Sequence, residues 1–270
     1  MTNGTRAIQT FILAAALLIL SAIPTRAQFT DGSTGLLQMP TAEMQDDGTF
    51  MITNNFLNKH ATSNRWSYHT FQYGIYVSFW GRMEIGYVCT IFNDYWQGWQ
   101  SRKGVWMINQ DRHFTGRVML IRENEFGWNW VPSLVVGVSD PTTGSGGDYS
   151  RMTVDGTGNG FFNRWFAVMT KHFDTPWGRI GAHAGYQFNR RLDYPINGPC
   201  AGVDWTPVWI QNKGIFDNAK FILEYDSRTV NMGFIASIWD NRFEAMFELQ
   251  NFQWVNFGLR YMLRLKKANN

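Results

Sequence analysis

The chain has 270 residues, of which 16% are aromatic and 17% charged, with 13 Trp and 21 Phe. Its formal charge of +3 falls to +1 once Arg6 and Arg26 of the first 27 residues are set aside, so the basic pI implies no nucleic-acid partner. Two cysteines, Cys89 and Cys200, are too few for a disulfide-built scaffold, and sequence alone leaves open whether they pair. The aromatic excess, without the Leu, Ala, Glu and Lys that dominate helices, favours strands.

In chain order, Arg6, the apolar run Phe11–Leu20 and the small residues up to Ala27 read as a secretory signal cleaved near Ala27. That run is too short for a comfortable transmembrane helix, and no later apolar run approaches the required length. Residues 28–48 are expected as a periplasmic N-terminal segment, 49–265 as one barrel domain and 266–270 as a C-terminal tail.

Between residues 49 and 265 the pattern alternates with period two. Phe71, Tyr73, Ile75, Val77 and Phe79 oppose Gln72, Gly74, Tyr76 and Ser78; after Trp80-Gly81, Met83, Ile85, Tyr87, Cys89 and Ile91 oppose Arg82, Glu84, Gly86, Val88 and Thr90. Ile180 to Phe188 repeat the rule, with Arg179, His183 and Gln187 on the polar side. Segments 220–226, 230–238, 243–250 and 255–265 form four more consecutive amphipathic strands. Noisier candidates at 49–58, 112–122, 133–140, 162–173 and 200–207 bring the total to about twelve, the even number a single-chain outer-membrane barrel requires. Long connections such as Asn93–Asp111, Pro141–Gly160 and Arg190–Pro199 alternate with tight ones, which places both termini in the periplasm.

A soluble β-sandwich also alternates, with its apolar face inward. The composition of the other face argues against it, because glycines there sit beside charges of both signs, which suits a confined lumen where opposite walls pair. Tryptophans near strand ends (Trp66, Trp80, Trp128, Trp130, Trp165, Trp177, Trp239, Trp254) resemble interfacial girdles. The expectation is therefore all-β: a single transmembrane antiparallel β-barrel of about 12 strands, in contact with outer-membrane lipid.

On that mapping the lumen network comprises Arg82, Glu84, Arg179, His183, Gln187, Glu224, Glu244, Glu248, Arg260 and Arg264. Two readings stay open: a self-neutralising ladder that closes a narrow barrel, or a polar conduit in which arginine forks grip acidic glycans. Tyr95, Trp96, Trp99 and Trp106, among amides and cations in one loop, could stack on sugar rings or cap the barrel. There is no GxSxG, HExxH or CxxC, and the five histidines lack ligand spacing. No catalytic residue, metal or cofactor is expected; His183 reads as a hydrogen-bonding filler, and Asp155–Gly160, without a following helix, as an outer loop.

The segment GSTGLLQMPTAEMQDDG, together with QDRHF, WVPSLVVGVSDPTTG, GTGNGFFNRWFAVMTKHF, CAGVDWTP, LEYDS and VNMGF in the same order, resembles the YjbH-like outer-membrane proteins associated with exopolysaccharide production. The resemblance implies a bacterial outer-membrane barrel assisting export or surface assembly of exopolysaccharide, non-enzymatic, with polysaccharide and periplasmic export proteins as partners. The alternatives are a scaffold barrel that binds periplasmic partners through Gly35–Met44, and a lipid- or glycan-modifying barrel enzyme with His183 as its best candidate.

Overall fold

The computed structural model describes residues 28–62, 68–92, 109–141, 161–189, 196–212 and 216–265. All twelve expected strands form: β1 (Thr49–Leu57), β2 (Thr70–Phe79), β3 (Met83–Phe92), β4 (Asn109–Ile121), β5 (Ser133–Ser139), β6 (Arg164–Thr175), β7 (Gly178–Phe188), β8 (Gly198–Pro207), β9 (Phe216–Tyr225), β10 (Val230–Ile238), β11 (Phe243–Gln250) and β12 (Trp254–Arg264). Each pairs antiparallel with its sequence neighbour, and β1 closes on β12, with Thr53 opposite Arg260. Closure leaves no unpaired edge.

Alternation decides which way each side chain points. On β12, Leu259 is 60% exposed on the outer surface while Arg260, its neighbour, is 1% exposed inside. The same holds round the ring: Ile52, Ile75, Ile85, Leu120, Met169, Val203 and Leu223 lie on the outside. Inside lie Glu84, Arg117, Arg164, Lys220, Glu224, Glu244 and Glu248, all buried. The apolar face is therefore the outer face, the reverse of a soluble sandwich. Exposed tryptophans mark the short connections at the end where β1 begins: Trp80, Trp128, Trp130, Trp177, Trp209 and Trp239. Trp66 lies outside the described residues, and Trp165 and Trp254 are half-buried.

The tight turns carry the backbone chemistry that hairpins need. Trp80 and Gly81 both have positive φ, 55° and 59°, the left-handed pair of a type I′ turn, which Arg82 N–H closes by donating to Phe79 O at 3.0 Å.

The expectation for residues 28–48 is corrected. Residues 28–45 do not stand outside the barrel; they fold into its lumen, where Phe29, Leu36, Leu37, Met39 and Thr34 have no exposed surface. The plug makes its own compact turn, with Gly35 bridged to Pro40, Phe29 N–H donating to Leu37 O at 2.6 Å and Leu36 N–H to Met39 O at 2.9 Å. The physical reason is the inner wall itself. It carries apolar side chains among the charges: Val135, Phe166, Val168, Ile222, Ile235 and Met246 form one core with the plug's Phe29, Leu36, Leu37, Met39, Ala42 and Met44. Four fully buried plug side chains of this size stabilise the packed state by about 1.5–3 kcal/mol each before ordering entropy is counted.

Cys89 and Cys200 are both buried and free. Cys89 shares the outer-facing parity of Ile85 on β3, whereas Cys200 belongs to the lumen core, so strand geometry holds them on opposite faces. The signal segment, residues 1–27, and the tail, 266–270, lie outside the described residues.

Candidate functional site: the plugged lumen

The wall grips the plug through main-chain groups, and each clamp is a strand residue of inward parity. Glu224 on β9 accepts three consecutive plug N–H groups, from Leu37 at 2.9 Å, Gln38 at 2.6 Å and Met39 at 3.3 Å. Glu84 on β3 accepts Gln45 N–H at 2.7 Å and the Thr34 hydroxyl at 2.8 Å. Glu248 takes the Gln38 amide at 2.7 Å.

Cations hold the carbonyls. Arg260 donates to Ser33 O at 2.9 Å and Gly32 O at 3.2 Å, and Arg117 donates to the carbonyls of Thr34, Thr41 and Glu43. Arg164 reaches Gln38 O at 3.0 Å and Gln28 Oε1 at 2.8 Å, with the plug's Asp31 carboxylate 3.5 Å away. Tyr76 donates its hydroxyl to Asp31 O, and Asn55 and Gln72 donate to Phe29 O and Thr30 O. A non-repetitive segment has no ladder to satisfy its backbone, so buried without such partners it would be costly. Guanidinium and carboxylate groups aimed inward supply those partners.

Of the ten lumen residues expected from alternation, seven are inside and fully enclosed: Glu84, His183, Gln187, Glu224, Glu244, Glu248 and Arg260. Three are not. Arg82 belongs to the β2–β3 turn and pairs with Glu125 at 2.5 Å; Arg264, the last residue of β12, is exposed and lies 3.7 Å from Asp46. Arg179, one residue into β7, is exposed at the same rim and lines a cleft of about 410 Å³ with Glu43, Glu123 and His172. Inward parity at a strand end points into solvent, because the barrel wall stops there. The aromatic loop with Tyr95, Trp96, Trp99 and Trp106 lies outside the described residues.

Sequence reasoning missed Asp31, Glu43, Arg117, Arg164, Asp204 and Lys220. Arg117 and Arg164 do alternate correctly with Thr115 and Phe166, but Phe166 and Val168 on the inner face of β6 hide the polar periodicity. Lys220 shares the inner face with Glu224 by simple counting.

Around Glu43 the plug meets a connected chain of ionic groups. His172 Nε2 is 3.0 Å from Glu43, Lys220 Nζ lies 3.4 Å from both Glu43 and Asp204, and His183 Nε2 is 2.7 Å from Asp204. Thr170 Oγ1 sits 2.9 Å from His183 Nδ1. Hydroxyl, imidazole and carboxylate in line is the order of a nucleophilic relay. Here the Thr170 oxygen accepts the Ala42 N–H at 2.9 Å and the plug covers it, so the row fixes the plug and meets no substrate in this conformation. At the rim, burial raises the Glu123 carboxyl, but hydrogen bonds from the His172 ring and backbone and from Lys171 outweigh it and hold its pKa at about 2.

A family model described as Exopolysaccharide biosynthesis protein YbjH matches residues 27–266, taking in plug and barrel together. The chain belongs to the YjbH family. That family is linked to exopolysaccharide biosynthesis, which agrees with what the resemblance of the opening segment implies. Comparison with curated proteins gives no match. The YjbH match begins where the plug does, so the segment that fills the lumen is part of the same unit as the wall that holds it.

Proposed function

We propose that this YjbH-family protein is a bacterial outer-membrane barrel that assists export or surface assembly of exopolysaccharide without catalysing a reaction, and that its resting state is closed. The observation that carries the reading is the inverted barrel: charges enclosed, apolar side chains outside. Exposed Leu, Ile, Phe and Val on almost every strand form a surface that water penalises by about 25 cal/mol per Å² and that acyl chains accept. The tryptophans at the short connections suit a headgroup boundary.

Of the two lumen readings, the self-neutralising one is favoured, in the form of a separate plug, because Glu224, Arg117 and Arg260 are committed to plug main chain. A polysaccharide then meets the rims and loops, or waits on plug movement. The scaffold reading through Gly35–Met44 loses its footing in this conformation, since that segment is buried. An enzymatic role for His183 is disfavoured by its enclosure with Asp204 and Thr170.

The test has two arms. Deleting the gene under polysaccharide-producing conditions should reduce surface polysaccharide, restored by the full chain; unchanged polysaccharide argues against the role. In planar bilayers the purified protein should insert but show little conductance, whereas a monodisperse protein in plain buffer would overturn the membrane assignment.

A further inference from the structure

Beside the contact of Arg164 with the plug's Asp31, the lumen near the β4 start holds a second group of chemistry-bearing side chains. Asp111 and His113 point inward from the same face of β4, and Asp140 follows β5 beside them. One ligand atom from each lies within 4.8 Å of the others. His113 is 2% exposed, and neither of its ring nitrogens has a hydrogen-bond partner among the described residues. A buried imidazole left so is costly unless something else engages it.

The geometry around it is that of a ligand set. Nδ1 of His113 is 4.0 Å from the Asp111 carboxylate, too long for a hydrogen bond and about half an ångström wider than the roughly 3.4 Å between two ligand atoms of a tetrahedral ion, so a small inward shift of the two side chains would complete the pair. Phe162 stacks on the ring, centroids 5.1 Å apart, and fixes its plane. Asp140 is held through its backbone, its N–H donating to Phe114 O at 2.8 Å and its carbonyl accepting from Asn163 at 2.9 Å, with its side chain fully enclosed.

The other acid–histidine group, Glu43, His172 and Asp204, differs in its imidazole. His172 already has both ring nitrogens engaged, Nδ1 with Glu123 at 2.6 Å and Nε2 with Glu43 at 3.0 Å.

We propose that Asp111, His113 and Asp140 form a binding site for one divalent first-row transition ion, Zn²⁺ or Mn²⁺, inside the barrel. One imidazole nitrogen with two carboxylates suits these ions; Ca²⁺ takes oxygen ligands alone and should compete poorly. The ion would tie β4 to the β5 end beside Phe162.

The test uses the full chain in detergent, stripped with chelator and dialysed against ZnCl₂, MnCl₂ or CaCl₂, with bound metal counted by mass spectrometry. About one Zn²⁺ or Mn²⁺ per barrel is expected, and His113→Ala or Asp140→Asn should weaken it by at least tenfold, a ligand-loss magnitude. His183→Ala, which alters the other enclosed histidine, should bind as the unmodified protein does. X-ray absorption of the Zn²⁺-loaded protein should give one imidazole and carboxylate oxygens, a readout that needs no variant to fold. No stoichiometric metal, equal binding by His113→Ala, or a shell without imidazole would each overturn the assignment.

Discussion

The carboxylate of Glu224, on β9, lies 2.6 Å from the backbone nitrogen of Gln38, in the plug, and the same carboxylate holds the N–H groups of Leu37 and Met39. One side chain thus satisfies three consecutive donors that have no strand to pair with. Asn231 supports it, donating at 3.2 Å.

Glu224→Ala removes all three acceptors and leaves their N–H groups buried. Hydrogen bonds to a charged group contribute about 1.5–3 kcal/mol each, and breaking such a set on one side costs roughly 3–5 kcal/mol. The apolar anchors Phe29, Leu36, Leu37 and Met39 remain, so the plug loosens but does not leave. In a Cys89→Ser background, Cys200, which packs in the plug's own core, reports this as faster alkylation by a small polar thiol reagent, by tenfold or more. Glu224→Gln, which keeps one acceptor oxygen, should fall between. Equal rates in all three proteins would show that Glu224 does not hold the plug.

Gly86 is small because of its partners on the two neighbouring strands, Tyr76 on β2 and Thr115 on β4. A Cβ there would collide with the ring of Tyr76, whose hydroxyl donates to Asp31 O of the plug, and would also lie 2.8 Å from the Thr115 methyl. Gly86→Val should displace Tyr76 and lower the melting temperature, at a cost of about 1–3 kcal/mol typical of overpacking. Gly116, also on the wall but outward, has no atom closer than 3.9 Å to such a Cβ and should tolerate alanine with little change. Scanning calorimetry of the two variants in the same detergent checks the contrast.

Period-two alternation made the strands legible because it registers one bit per residue, in or out, and the barrel enforces that bit wherever a neighbouring wall exists. It placed Glu84, Glu224, Glu248 and Arg260 correctly and failed for Arg82, Arg179 and Arg264, where the wall ends. The plug was the larger omission. GLLQM carries no periodicity of its own, yet Ile222, Ile235 and Met246 break the polar face of their strands, and apolar side chains on a supposedly wet wall need an apolar partner. That mismatch was the available signal. The Asp111–His113–Asp140 group needed three dimensions, since Asp140 lies just past the end of β5 and the other two on β4.

Acid should loosen the Glu123–His172 contact at the rim. The Glu123 carboxyl is depressed to about 2 in the folded chain, against about 4.5 ordinarily, so its contribution is present above the ordinary value and is lost as pH falls from there toward 2. Glu123→Gln should flatten the stability profile over that window. A profile of unchanged slope would mean that Glu123 does not carry the acid response.

The orientation of the whole barrel rests on Leu259, halfway along β12, and can be tested there. Its side chain is 60% exposed, between Val255 and Phe257 on one side and Leu263 on the other, all outward. If this face meets lipid, Leu259→Arg puts a charge near the middle of the hydrocarbon and costs about 2–4 kcal/mol on folding into vesicles, less where detergent lets the side chain reach water. If it meets water, the same change is within about 0.5 kcal/mol of neutral and improves solubility. Arg264, at the rim and exposed, supplies the comparison, since Arg264→Leu alters the same strand where a headgroup or solvent already surrounds it. Urea titrations of refolded protein in lipid vesicles should therefore separate Leu259→Arg from the unmodified chain and leave Arg264→Leu close to it; a neutral Leu259→Arg would place the greasy face in water and remove the basis for a membrane role.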